Sequence, residues 1–162
     1  MNASQGCPRA LLVLVVAAAA AAAQPHAAVA QPTVQQERVL PDASSGDAFG
    51  SSVALHATTM IVGAPRDDVG ANDDQGSAYV YVRENGAWVL QVQLFASDGA
   101  AGDGFGHGVA VHGDTVVVGA PGDDVGANVD RGSAYVFVRS GDAWLEQFRL
   151  EAPDGTAMDA FG

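Results

Sequence analysis

From Phe49 onward the apolar residues of this chain come in short bursts with the alternation of β-strands, and no stretch of helix length carries an apolar stripe. Ser52 to His56 and Gly108 to His112 predict a first strand. Thr59 to Val62 and Thr115 to Val118 predict a second, reached through a tight turn that reads Gly113-Asp114 in its later occurrence. This strand is expected to end at Gly-Ala-Pro, because proline has no N–H for a further ladder bond. Ser77 to Arg83 and Ser133 to Arg139 predict a third strand. In it Ala78, Val80 and Val82 alternate with Tyr79 and Tyr81, so neither face is polar and burial on both sides is expected. Asn85-Gly86 is a strong hairpin signal, replaced later by Ser140-Gly141-Asp142, and leads to a fourth strand opened by Trp88 or Trp144.

The same pattern occurs twice because the chain repeats. The stretch from Ile61 to Val82 returns from Val117 to Val138, 56 residues on, and Phe-Gly recurs at that interval at 49–50, 105–106 and 161–162. Residues 49–104 and 105–160 form two full units identical at 33 of 56 positions, and 161–162 open a third. Residues 31–48 resemble the tail of a preceding unit, with Asp42 in phase with Asp98 and Asp154, and Asp47 with Asp103 and Asp159. Four short strands per unit, punctuated by glycine and aromatic residues, point to an all-β fold of propeller blades, each a four-stranded antiparallel sheet. Such a sheet cannot bury two apolar faces alone and must stack on neighbours. Closure takes about four to eight blades, so this is an incomplete propeller. The missing blades are expected in cis in a longer chain or by oligomerisation, with 31–48 as a candidate ring-closing strand.

Composition adds a compartment. Arg9 precedes an unbroken apolar run from Ala10 to Ala23, and Ala28-Val29-Ala30 is a small-x-small cleavage site, so residues 1–30 read as a secretory signal peptide. Ala21-Ala22-Ala23 before Gln24 is an alternative cleavage site. The run is too short for a helix across a hydrocarbon core of roughly 30 Å. The expectation is a secreted, periplasmic or cell-surface protein with no membrane span after signal removal. Cys7, the single cysteine, leaves with the signal, so disulfides cannot stabilise the mature chain. All 19 acidic residues lie beyond residue 30, opposed by six arginines and no lysine. That balance excludes nucleic acid and anionic membrane as natural partners, and favours cations or plain solubility.

Phe-Gly at the head of each unit and Gly-Ala-Pro some fourteen residues later resemble the FG-GAP repeat of integrin alpha-subunit propellers and many bacterial secreted proteins. The resemblance implies extracellular binding or adhesion, often with calcium holding loops in shape. In the integrin-type repeat the calcium loop lies between the two motifs. Here that gap holds only His56-Ala57-Thr58-Thr59 and His112-Gly113-Asp114-Thr115, so the inherited calcium site is absent. The sequence is closer to the bacterial variant, with a short first hairpin and a polar loop after Gly-Ala-Pro.

Those loops, RDDVGANDDQG and GDDVGANVDRG, hold the candidate metal ligands: Asp67, Asp68, Asn72 and Asp74 in the first, Asp123, Asp124, Asn128 and Asp130 in the second. Carboxylates, an amide and exposed carbonyls around glycines are a ligand set calcium accepts. The same residue types are also what ordinary surface turns prefer. The acids before each Phe-Gly either cap turns or converge on the polar loop of the adjacent blade. His56 and His112 are in phase but have no recurring partners for zinc or catalysis. Tyr79, Tyr81, Tyr135, Trp88 and Trp144 are expected to fill space between blades, with a carbohydrate or protein contact as the alternative. No catalytic motif is present. The sequence therefore reads as a non-enzymatic, exported binding or adhesion module, its partner an extracellular protein or carbohydrate. The alternatives are the non-catalytic part of a larger secreted enzyme, or a structural cell-surface array.

Overall fold

A computed structural model describes residues 46–162. The expected signal peptide and cleavage site, Asp42 and nearly all of the candidate ring-closing segment lie outside the described residues. Eight strands follow in order: β1 (Ser52–His56), β2 (Thr59–Ala64), β3 (Ser77–Glu84), β4 (Ala87–Leu94), β5 (Val109–His112), β6 (Thr115–Ala120), β7 (Ser133–Ser140) and β8 (Ala143–Leu150). They form two antiparallel meanders, β1-β2-β3-β4 and β5-β6-β7-β8. These are the two propeller blades the repeat predicts. No helix among the described residues is long and apolar enough to cross a membrane.

The turns follow their chemistry. Asn85 and Gly86 both have positive φ (49° and 85°), the requirement of a type I′ hairpin. Gly113 and Gly141 alone are positive in their two-residue turns, the type II′ pattern. Ala57 stands where the second blade has Gly113, and it too is forced to φ 52°.

The second strand runs two residues further than the sequence suggests. Gly63 and Ala64 stay in the ladder opposite Ala78 and Ser77, and only Pro65 ends it. Glycine is required here by close approach, because a Cβ on Gly63 would lie 1.9 Å from the carbonyl oxygen of Gly106, the start of the next blade.

A second irregularity was not legible in the sequence. Val80 pairs with Val92 and Tyr81 with Leu90, leaving Gln91 unpaired as a β-bulge, and Gln147 repeats it in β8. The bulge aims Gln91 at the neighbouring blade, where its Oε1 accepts the Trp144 indole N–H at 3.0 Å.

The core lies between the sheets. Ile61, Ala78, Val80 and Leu94 from the first blade meet Val116, Val118, Tyr135, Phe137 and Trp144 from the second, with Phe105 fully buried among them. Phe105 meets Tyr135 and Phe137 edge-on at 5.5 and 6.0 Å between centroids. Tyr135 and Trp144 thus take the packing role expected of them. The third strand is indeed buried on both faces: Ala78 and Val80 join the inter-blade core, while Tyr79 and Tyr81 join a second cluster with Val62 and Ala64.

Candidate functional site

Each polar loop after Gly-Ala-Pro folds on itself. Val69 and Asn72 exchange two backbone hydrogen bonds at 3.1 Å around Gly70, and Val125 and Asn128 do the same around Gly126. Asp68 Oδ1 accepts the Asp74 N–H at 2.9 Å, holding Asp74 at a left-handed φ of 53°; Asp124 and Asp130 repeat this bond at the same length. These are local side-chain-to-backbone bonds of the kind short acids make in turns.

The remaining candidate ligands point elsewhere. Asp67 is buried, and its Oδ2 accepts from the Ser77 hydroxyl, from Tyr79 OH at 2.9 Å and from Gln93 Nε2 at 2.9 Å. The Asn72 amide donates to Gln75 Oε1 at 2.7 Å and to the Gly99 carbonyl at 3.2 Å. The loop carbonyls are also engaged. Those of Asp73, Asp74 and Gln75 accept the N–H groups of Gly102, Gly104 and Phe105 at 2.9, 3.2 and 2.9 Å. In the second loop Val129, Asp130 and Arg131 accept from Met158, Ala160 and Phe161 at 2.9, 3.1 and 3.0 Å. Among the described residues no three of His, Cys, Asp or Glu are grouped to hold a metal ion. As arranged, Asp67, one oxygen each of Asp68 and Asp124, and three carbonyls of each loop accept protein N–H or O–H groups and are not turned toward a common calcium ion. The loop is instead a dock for the chain entering the next blade, and Phe-Gly is what docks.

At this dock the two groups of periodic acids part company. Asp103 Oδ2 accepts the Ala100 N–H at 2.6 Å and Asp159 the Thr156 N–H at 2.6 Å, which is the turn-capping role. Asp98 reaches the next blade. Tyr135 OH lies 2.9 Å from both Asp98 Oδ1 and Asp123 Oδ2, sharing one proton between two carboxylates. Arg149 supplies the missing positive charge, with Nη1 on Asp98 and Nε 3.5 Å from Asp123. A trailing acid of one blade and a loop acid of the next therefore do converge, on an arginine and a tyrosine. Convergence on the adjacent loop was one of the two roles expected of these acids, but its cation was not legible in the repeat, because Arg149 has Gln93 as its counterpart.

The charges follow this packing. Partial burial alone would raise Asp98, but the Tyr135 hydroxyl and the Arg149 guanidinium hold it below the usual carboxylate range. Burial pushes Asp103 up to about 6 against the pull of its Ala100 N–H bond, and the negative charges of Asp123, Asp124 and Asp98 add to the rise. Burial and the same two carboxylates push the Tyr135 phenol up as well. Beside the dock an open groove of about 270 Å³ is lined by Pro65, Arg66, Asp74, Gly102, Gly104 and His107. Arg66 and His107 stand where the other copy has Gly122 and Ser51.

His56 and His112, isolated in the sequence, are brought together: their ring centroids lie 4.5 Å apart, tilted by 50°. A common phase in the repeat was the only signal that could have found this pair.

No curated protein matches the chain. A family model described as FG-GAP repeat matches residues 33–81 and 88–137. Its frame starts in the tail of one unit and ends in the third strand of the next, so each match holds one Phe-Gly and the Gly-Ala-Pro loop that follows it, and the dock joins the polar loop of the first match to the Phe105-Gly106 of the second. With more than half of its length matched, and both motifs placed at a blade junction, the chain belongs to the FG-GAP repeat family, whose repeats build β-propeller-like modules.

Proposed function

We propose that this chain is an exported, non-catalytic binding or adhesion module, in which the blades form a stacked scaffold and the loops between them meet the partner, an extracellular protein or carbohydrate. The observation that carries the scaffold reading is the outer face of the second blade. Leu145, Phe148 and Leu150 are 50, 65 and 45% exposed there. Their counterparts Val89, Val92 and Leu94 lie in the blade that faces a neighbour, where Leu94 is 4% exposed and Val92 packs on the core. Phe161 also sits on the Arg131 carbonyl as Phe105 sits on that of Gln75. The second blade thus offers a further FG-GAP blade the same apolar surface that the first blade offers the second.

The export and binding parts rest on the N-terminal signal pattern and on the family. Their test is expression of the full chain with its own N-terminus in a bacterial host. The expected product lies outside the cytoplasm, begins at Gln31 by mass spectrometry, and binds saturably to an immobilised extracellular protein or polysaccharide panel. Cytoplasmic recovery with residues 1–30 attached would refute export. Absence of saturable binding across the panel would count against adhesion.

A further inference from the structure

The two periodic histidines meet at the seam between blades. His56 ends β1 and His112 ends β5, the first strands of successive sheets. Gly113, in the turn after His112, donates its backbone N–H to His56 Nδ1 at 3.1 Å. An imidazole nitrogen that accepts a hydrogen bond carries no proton, so the His56 ring in this contact is neutral with its hydrogen on Nε2. That tautomer also leaves no lone pair on Nε2 for a metal, which separates the pair from a two-histidine metal site. A second proton would have to enter at Nδ1, where it would remove the acceptor and face the Gly113 N–H. It would also place a positive ring against the His112 ring, itself able to take a proton.

Asp114 is in the same turn as Gly113 and pairs with Arg139 at 3.6 Å. Arg139, on β7, donates to Thr59 Oγ1 at 2.6 Å, and Arg83, on β3, holds the β1–β2 turn through its N–H to the Thr58 carbonyl at 2.8 Å.

We propose that the His56–His112 contact is an acid-labile latch between the first strands of adjacent blades, closed when His56 is neutral and released when Nδ1 is protonated. Because the histidine recurs at the repeat interval, the same device is written into each full unit. The latch would let an exported blade array loosen at one rim in mildly acidic surroundings while the apolar core stays shut.

The test reads the one bond concerned, by NMR on the intact chain. Amide exchange at Gly113, corrected for its intrinsic pH dependence, is compared at pH 7.5 and pH 5, with His56→Gln beside the wild type. Glutamine Oε1 can accept the Gly113 N–H and does not titrate. The wild type is expected to lose protection about tenfold on acidification, the worth of one hydrogen bond, and His56→Gln to show the same protection at both pH values. An equal fall in both proteins, or none in the wild type, would overturn the latch. If His56→Gln does not fold, the wild-type ring nitrogens decide. Nδ1 free of hydrogen at pH 7.5, and protonated in step with loss of Gly113 protection, supports the proposal; Nδ1–H at pH 7.5 overturns it.

Discussion

Replacing Asp103 by asparagine is expected to make this protein more stable at neutral pH, although the residue is 3% exposed and hydrogen-bonded. Burial, reinforced by Asp123, Asp124 and Asp98, raises the Asp103 carboxyl from 3.8 to about 6, so the folded state holds its proton more tightly than the unfolded chain. The sign follows directly. A raised pKa contributes stability that is fully present below the unfolded value and is lost as pH rises through the folded value. Stability should therefore fall between about pH 4 and pH 6 and stay low above it. At about 1.4 kcal/mol per pH unit, the ionised group costs at most about 3 kcal/mol at pH 7. Asp98 and Asp124 are exposed and screened by solvent, which brings the figure to about 1–2 kcal/mol. Asparagine keeps an oxygen for the Ala100 N–H and removes the charge. Urea melts of both proteins from pH 4 to pH 8 provide the assay. Asp103→Asn should gain about 1–2 kcal/mol at pH 7, with little left of the rise toward pH 4. A loss of stability at pH 7, or an undiminished pH slope in the variant, would refute the reasoning.

Other perturbations read other parts of the structure. Arg149→Gln leaves Asp98 and Asp123 sharing the Tyr135 proton without a cation and should cost about 2 kcal/mol in a denaturant melt; Asp98→Asn added to it should recover part of that loss, and strict additivity of the two would contradict the shared site. Ala57→Gly relieves a left-handed alanine and should raise stability by about 0.5–1 kcal/mol, checked by the shift in melting midpoint; no gain would show that the turn carries no strain. Millimolar calcium should leave the melting temperature where chelator leaves it, since Asp67 and the docking carbonyls of the loops already accept protein donors; a rise of several degrees would mean that the loops rearrange around the ion.

What the sequence revealed and what it hid divide along one line. Strand positions, the type I′ turn at Asn85-Gly86 and the two-sided burial of β3 follow from periodicity and turn chemistry within a single unit, and they were legible. The features that mattered at the junction were not. Gln91 becomes useful only through a bulge that turns it toward Trp144, and Asp98 only because the next blade puts Tyr135 and Arg149 beside it. His56 and Gly113 meet across the same boundary. Repetition fixes the phase of a residue but not which residue of the following blade lies opposite. The polar loop shows this most clearly. Its acids and carbonyls have the composition of a cation site, yet Asp67 and Asp68 accept from β3, β4 and the loop itself, and the carbonyls accept the N–H groups of a segment some thirty residues later that only the folded chain brings to them.

The central claim is that each blade docks on its neighbour through one repeated junction, Phe-Gly on the polar loop and the aliphatic face of one sheet on the aromatic face of the next. Its most direct test is to append a copy of residues 107–160 directly after Gly162, so that Phe161-Gly162 becomes the head of an in-phase third blade, and to unfold both proteins in urea. The extended chain should unfold in a single transition with a larger m-value and a higher midpoint, because Leu145, Phe148 and Leu150 become interior and the nearest-neighbour interface is added once more. A second transition separate from the first, or an unchanged midpoint, would contradict the account.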